Sequence, residues 1–330
     1  MRRCSWRQTA ALGWFARFSS EIVIAAVLTT VVVSTGGFLG AEAMSGPVIG
    51  QFEIKTLDVE LGGIELQSQN AWFLGNPARQ VEPHDGRFLG DGNTISRQRH
   101  GLEIEVGLSK FLKTRLGVEF EKERRDDISP TGATDAYGEL EAEGFGIEGV
   151  LVLMPRAATG GGLGVVIEYD QPFVGGGVRT FMGGPIVEWA SGPLALSFNP
   201  TLTQLIGGER DGAGQQDEKI DFSYTARALY RWSETFAAAV EAYGTVERIG
   251  GSGARSLESK LLGDFDQHRL GPVLYWTLAE PRAAGAGSRP DTEDGAAAEG
   301  PQSTLGVGLL FGLTDSTPAA SLKLSLEQTF

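Results

Sequence analysis

Carboxylates recur two residues apart in this chain: Glu103 with Glu105, Glu119 with Glu121, and Glu139 with Glu141. Arg227 and Arg231 keep an even spacing of their own, and Arg269 and Lys323 follow on two later segments. Residues an even number of positions apart point to the same side of a β-strand. These charges, with Arg115, would therefore spread over a surface rather than converge on a reacting atom. A charged surface can select ions or neutralise itself by pairing, whereas a general base needs a partner at hydrogen-bond distance. The three histidines, His84, His100 and His268, fall in a loop and at two strand ends, where their spacing builds neither a metal cluster nor a Ser/His pair. We expect no catalytic residue, no metal and no cofactor. The runs Gly160-Gly161-Gly162 and Gly175-Gly176-Gly177 read as turns beside strand ends.

The elements that must position these charges are strands, about twelve of them. Phe52 to Leu66 alternates with a phase slip near Thr56, which predicts a first strand with a bulge and Asp58 and Glu60 facing inward. Leu102, Ile104, Val106 and Leu108 oppose Glu103 and Glu105, and Leu116, Val118 and Phe120 oppose Arg115, Glu119 and Glu121. A fourth strand, Tyr137 to Leu153, needs a phase slip at Gly144. Strands near Leu163–Tyr169, Arg179–Trp189 and Leu194–Leu202 follow, the last with an awkward Pro200 that removes a ladder donor. Ile220 to Trp232 is the clearest two-faced strand, with Phe222, Tyr224 and Tyr230 opposite Asp221, Arg227 and Arg231. Three more carry Val240 opposite Glu241, Leu270 and Leu274 opposite Arg269, and Val307 and Leu309 opposite glycines. The closing strand, Ser321 to Phe330, sets Leu322, Leu324, Leu326 and Phe330 against Lys323, Ser325 and Glu327.

The chain opens with Arg2, Arg3, Arg7 and Arg17, an apolar run from Ile22 to Val33, and Ala41-Glu42-Ala43. This predicts a signal peptide over residues 1–43, since the run is too short to span a bilayer. Its removal takes the single cysteine, Cys4, and leaves 24 bases against 40 acids, which argues against nucleic acid as a partner. No later segment is a transmembrane helix, so membrane residence requires a barrel. Long connectors at Asn70–Gln98, Arg124–Ala136, Gly207–Glu218 and Gly250–Gln267 alternate with short turns at Ser109, Ala190 and Ser233, the asymmetry of a membrane barrel. The predicted fold is all-β, an antiparallel transmembrane β-barrel of about 12 strands over residues 44–330. Residues 280–303, rich in Ala, Gly, Pro and acids, read as a flexible insertion. The alternative for the closing strand alone is the edge of a soluble sandwich.

The closing strand, with its terminal Phe330, resembles that of bacterial outer-membrane barrels, in which the aromatic terminus and apolar residues before it are read by the barrel-assembly machinery. Leu322, Leu324, Leu326 and Phe330 carry that likeness, and Gln328 interrupts it. Gly271-Pro272-Val273-Leu274-Tyr275 and Leu310 to Pro318 look like late-strand motifs of proteobacterial outer-membrane proteins, and loosely like outer-membrane transporters associated with phenol meta-pathway genes. The resemblance implies a porin-like or transporter barrel in the outer membrane of a Gram-negative bacterium, in contact with outer-membrane lipid and lipopolysaccharide. It implies no particular solute.

Acidic early strands facing basic later ones would place a transverse field across a lumen. That lumen is either a solvated path for small solutes or ions with a cation preference, or a salt-bridged filling that conducts nothing. A lipid-modifying enzyme using His100 or His268 at the rim is a third reading.

Overall fold

The computed structural model describes residues 52–75, 94–125, 138–156, 160–173, 177–207, 218–249, 252, 266–279, 302–314 and 317–330. The predicted leader, His84 and nearly all of the 280–303 segment lie outside them. Twelve strands follow one another: β1 (Ile64–Leu74), β2 (Thr94–Ser109), β3 (Leu112–Arg125), β4 (Glu141–Met154), β5 (Gly160–Pro172) and β6 (Val178–Ser191). The second half contributes β7 (Leu194–Gly207), β8 (Ile220–Arg231), β9 (Phe236–Val246), β10 (Gln267–Ala279), β11 (Gln302–Gly312) and β12 (Ala320–Thr329). Each pairs antiparallel with its chain neighbours, and β1 pairs with β12 from Glu65↔Thr329 to Leu74↔Ala320, so the sheet closes into a barrel.

Closure fixes which side of each strand faces out. Leu66, Leu151, Ile167, Leu196, Leu202, Val240, Leu274, Leu309 and many like them stand exposed on the outer face. So large an apolar belt suits a bilayer and would aggregate in water, which removes the soluble-sandwich alternative. Tyr230, Trp232 and Phe236 cluster near one rim, with Trp232 and Phe236 stacked at 5.4 Å, as an aromatic girdle requires. At that rim four connections are two to five residues long, and the fifth, after β10, is 22. The connections at the other rim run from 5 to 20 residues.

Local sequence explains the irregular points. The slip predicted at Gly144 falls one residue earlier: β3 and β4 change register between Glu119↔Gly144 and Phe120↔Ala142, leaving Glu143 as the extra residue. Pro200 is accommodated because Pro185 stands opposite it. The β6–β7 ladder pairs Gly183 with Leu202 and Val187 with Phe198 and is interrupted only between them. Two missing donors thus coincide at one place, while Pro185 still pairs Val165 and Pro200 still pairs Tyr224 on their other sides.

The first predicted strand requires correction. Residues 52–60 are not part of the wall, and β1 begins only at Ile64. The alternation is real, but both of its faces are covered. Phe52 (0% exposed) and Ile54 lean on Ala71, Phe73, Leu229, Ala239, Val273 and Leu310, all pointing into the barrel. Glu53 and Lys55 turn to the charged residues of β3, β4 and β5. The phase changes at Thr56 because Leu57 packs into a second apolar cluster, Val150, Val152, Val166 and Ile186. Segment and wall then join at the short-turn rim, where Gly62 N–H donates to Gly107 O (2.8 Å) and Gly107 N–H to Gly63 O (3.0 Å).

A Cβ on Gly107 would overlap the Glu60 carbonyl oxygen. Gly107→Val should therefore break that junction and its two hydrogen bonds, each worth about 1 kcal/mol. Protease cleavage within 52–61, mapped by mass spectrometry, should accelerate ~10-fold or more, while the heat-modifiable band of the folded barrel persists. Unchanged cleavage would show that the junction does not hold the segment.

Candidate solute path and the segment inside it

The barrel interior has two unlike walls. On β2 to β5 many inward positions are charged, with Val150, Val152 and Val166 an apolar patch among them; on β1 and β8 to β11 many are apolar, among them Ala71, Leu229, Ala237, Ala239, Val273 and Leu310. Residues 52–61 run between these walls, from the level of Phe73 near the long-loop rim to the opposite rim.

Arg115 is the hub of the charged wall. It bonds Glu53 of the inner segment, lies 2.7 Å from Glu105 and 3.4 Å from Glu103, and approaches Glu148. Lys113 joins the same Glu105 at 2.9 Å. Lys55 bonds Glu148, Glu53 (2.7 Å) and, more loosely, Glu168 (3.6 Å). Higher up, Glu121 takes both Arg97 (3.1 Å) and Arg99. Glu119 is partly buried beside this group. Carboxylates spaced by two on β2 and β3 thus meet cations of their own wall, while Lys55 of the inner segment meets Glu148 of β4 and Glu168 of β5.

The second buried group joins β9, β10 and β12. Lys323 Nζ lies 2.8 Å from Glu241 Oε2 and 3.0 Å from the Tyr243 hydroxyl, and the Tyr243 and Tyr275 hydroxyls both donate to Glu241. Glu241 and Tyr243 are fully buried. Arg227 lies over the Tyr275 ring at 5.9 Å.

The expected transverse field gives way to local pairing. Asp58 and Glu60 belong to the inner segment at the rim, where Asp58 meets Arg156 at 3.2 Å, rather than to a strand. Glu139, Glu141 and Arg231 are exposed at strand ends. Of the expected basic wall, Lys323 and Arg227 join the Glu241 group, while Arg269 is buried with no carboxylate at ion-pair distance among the described residues. His100 lies on the outer face, bonded to Asn70 (2.7 Å) and edge-on to Trp72; His268 stacks on Tyr224, whose hydroxyl lies 3.0 Å from Nδ1. Leu322, Leu324 and Leu326 share the outward side of β12, and Phe330 is exposed at the short-turn rim.

Sequence reasoning missed the inner segment and the apolar wall that receives it. A signal existed: Leu229 between Ala228 and Tyr230, Val273 between Pro272 and Leu274, and Leu310 between Leu309 and Phe311 are apolar at both parities. A water-filled lumen has no use for inward Leu and Val; they imply something apolar inside.

This geometry defines a closed, twelve-stranded antiparallel membrane barrel with an occupied interior. Among solved structures, it is similar to an outer-membrane channel from Pseudomonas putida F1, with a TM-score of 0.54 and 9% identity over 84% of this chain and 100% of that one. The porin NanC aligns over 81% of this chain and 98% of its own at 8% identity and a TM-score of 0.44. No protein-family model matches the chain, and neither does any curated protein sequence. The likeness is one of fold, and the loose resemblance to phenol meta-pathway transporters gains no family match.

Removing Lys323 alone would take from the buried Glu241 its cation at 2.8 Å and leave only the more distant Arg227 and two hydroxyls. Lys323→Met should cost about 3–5 kcal/mol, and Lys323→Met with Glu241→Gln should recover most of it. Urea unfolding of the vesicle-reconstituted barrel checks both. A single variant as stable as the starting protein would mean that water reaches this group.

Proposed function

We propose that this protein is a porin-like outer-membrane channel for small solutes whose lumen is closed at rest by its own residues 52–61. The observation that carries the reading is the amphipathic inner segment, which lies against an apolar wall on one side and a charged wall on the other without being part of either. The likeness in fold to an outer-membrane channel supports it. Magnitudes favour a removable filling. Burial of Phe52, Ile54 and Leu57 contributes on the order of 1.5–3 kcal/mol each, while the ion pairs of Glu53 and Lys55 come near break-even against hydration. A segment held by a few apolar anchors is within reach of a population shift of several kcal/mol.

The path runs along the charged wall, where Arg115, Glu103, Glu105, Glu119 and Glu121 would meet solutes and ions once the segment leaves. Outward Leu322, Leu324, Leu326 and Phe330 remain the proposed signal to the assembly machinery, and lipopolysaccharide and lipid the surroundings of the outer belt. The second reading, a structural barrel with a permanently filled interior, draws on the density of pairing around Arg115 and Glu241.

Planar-bilayer recording separates the two. Leu57→Asp puts a charge among Val150, Val152, Val166 and Ile186 and should loosen the segment by at least a factor of about 10. The channel reading expects discrete steps from the starting protein and longer, severalfold larger openings from Leu57→Asp. Silence from both, with folding verified, would establish the filled barrel.

A further inference from the structure

Arg269 is the least compensated cation among the described interior residues. Its side chain is 2% exposed, yet only Nη2 has a partner, the Gln267 side chain at 2.9 Å. Nε and Nη1 have none among the described residues. The charges that act on it are those of Arg97 and Arg99, which have the same sign. In place of an anion it has rings: its guanidinium carbon is 5.5 Å from the centroid of Phe52 and 5.1 Å from that of Phe73. Cation–π contact offsets about 2 kcal/mol of the desolvation of a buried cation, whose full cost is several kcal/mol. This is where an arriving anion would gain most.

Phe52 covers this site in an unusual way. It belongs to the removable segment and takes a left-handed backbone conformation, φ 56°, which residues other than glycine rarely adopt. Its ring packs against Phe73 at 5.5 Å and Tyr243 at 5.1 Å, and its carbonyl oxygen lies 3.0 Å from the Tyr243 hydroxyl, whose single proton it shares with Glu241. Lys323 Nζ stands 3.0 Å behind that hydroxyl. One residue therefore fills an aromatic pocket and an oxygen-acceptor position, with Cα and Cβ between them.

We infer that Arg269, Phe73 and Tyr243 form a binding site for an arylalkyl carboxylate, and that Phe52 is the internal stand-in for that solute. A phenyl ring, two carbons and a carboxylate repeat the ring-to-carbonyl spacing of Phe52 and bring the negative charge that Arg269 lacks. The ring takes the place of the Phe52 ring and one carboxylate oxygen that of the Phe52 carbonyl oxygen, where it shares the Tyr243 hydroxyl and Lys323 with Glu241, while the other oxygen turns toward Arg269. Solute and inner segment compete for one place, so the solute favours the open barrel and its affinity is reduced by the closed fraction. The inference names a solute class for the path proposed above and rests on that reading only for transport; binding stands by itself.

The test is titration calorimetry of the detergent-folded protein with 3-phenylpropanoate, with 3-phenylpropan-1-ol and 2-phenylethylammonium as neutral and cationic counterparts. The carboxylate should bind at least ~10-fold more tightly than either counterpart, and Arg269→Gln should remove that preference. Phe52→Ala, which vacates the pocket and leaves its wall intact, should strengthen binding of the carboxylate. Equal binding of all three compounds, or no binding of the carboxylate to Phe52→Ala, would overturn the assignment. Binding by a protein that passes no current would sink the channel reading and leave the site; current with no carboxylate binding would do the reverse.

Discussion

The pairing of β1 with β12 is the constraint from which the interior follows. In a bilayer no water is at hand to satisfy an open sheet edge, so ten residue pairs from Glu65↔Thr329 to Leu74↔Ala320 must form for the sheet to exist there at all. Closing at twelve strands fixes the width, and a barrel of that size is narrow enough for side chains from opposite walls and one extended segment to fill it. Every inward residue then has a close neighbour. Glu105 lies within 3 Å of both Arg115 and Lys113, and Glu241 meets Lys323 and two tyrosine hydroxyls.

What holds residues 52–61 and what positions them are different forces. Apolar contact at Phe52, Ile54 and Leu57 supplies the net attraction, because it exchanges no hydration of charge for its gain. The ion pairs of Glu53 and Lys55 supply register: a shift of one residue would turn both charges toward Ala71, Ala239 and Val273 and place Ile54 among carboxylates. Such a segment has one good position inside the barrel. The rim junction at Gly62, Gly63 and Gly107 tethers its far end, so that departure from the lumen need not disturb β1.

Much of the wall was legible in the sequence because lipid on one side enforces a strict period of two. The face assignments of β8, β10 and β12 needed nothing beyond the alternation of residues such as Tyr224 with Arg227, Leu270 with Arg269, and Leu322 with Lys323. Alternation in Phe52–Lys55 looks the same, since period two reports that a chain is extended between two unlike surroundings and is silent about which surroundings they are. Lipid against water and apolar wall against charged wall give one pattern. The Pro200 difficulty had a similar origin: its answer, Pro185, lies 15 positions away and becomes a neighbour only through the β6–β7 register. The candidate site was the least legible part, because it depends on what stands across a lumen rather than along a strand.

Net charge is likewise a poor guide to what such a lumen would select. The chain carries a formal charge of −14, and composition alone favours cations. Selectivity is set instead by charges that remain uncompensated where a solute must pass. Around Arg115 the carboxylates meet cations at 2.7 to 3.4 Å, and at those separations their fields largely cancel a short distance away. At Arg269 no carboxylate is at hand among the described residues, and two further arginines add to its potential. A buried, poorly compensated cation attracts anions whatever the net charge, so an acidic protein can present an anion-attracting point inside its barrel.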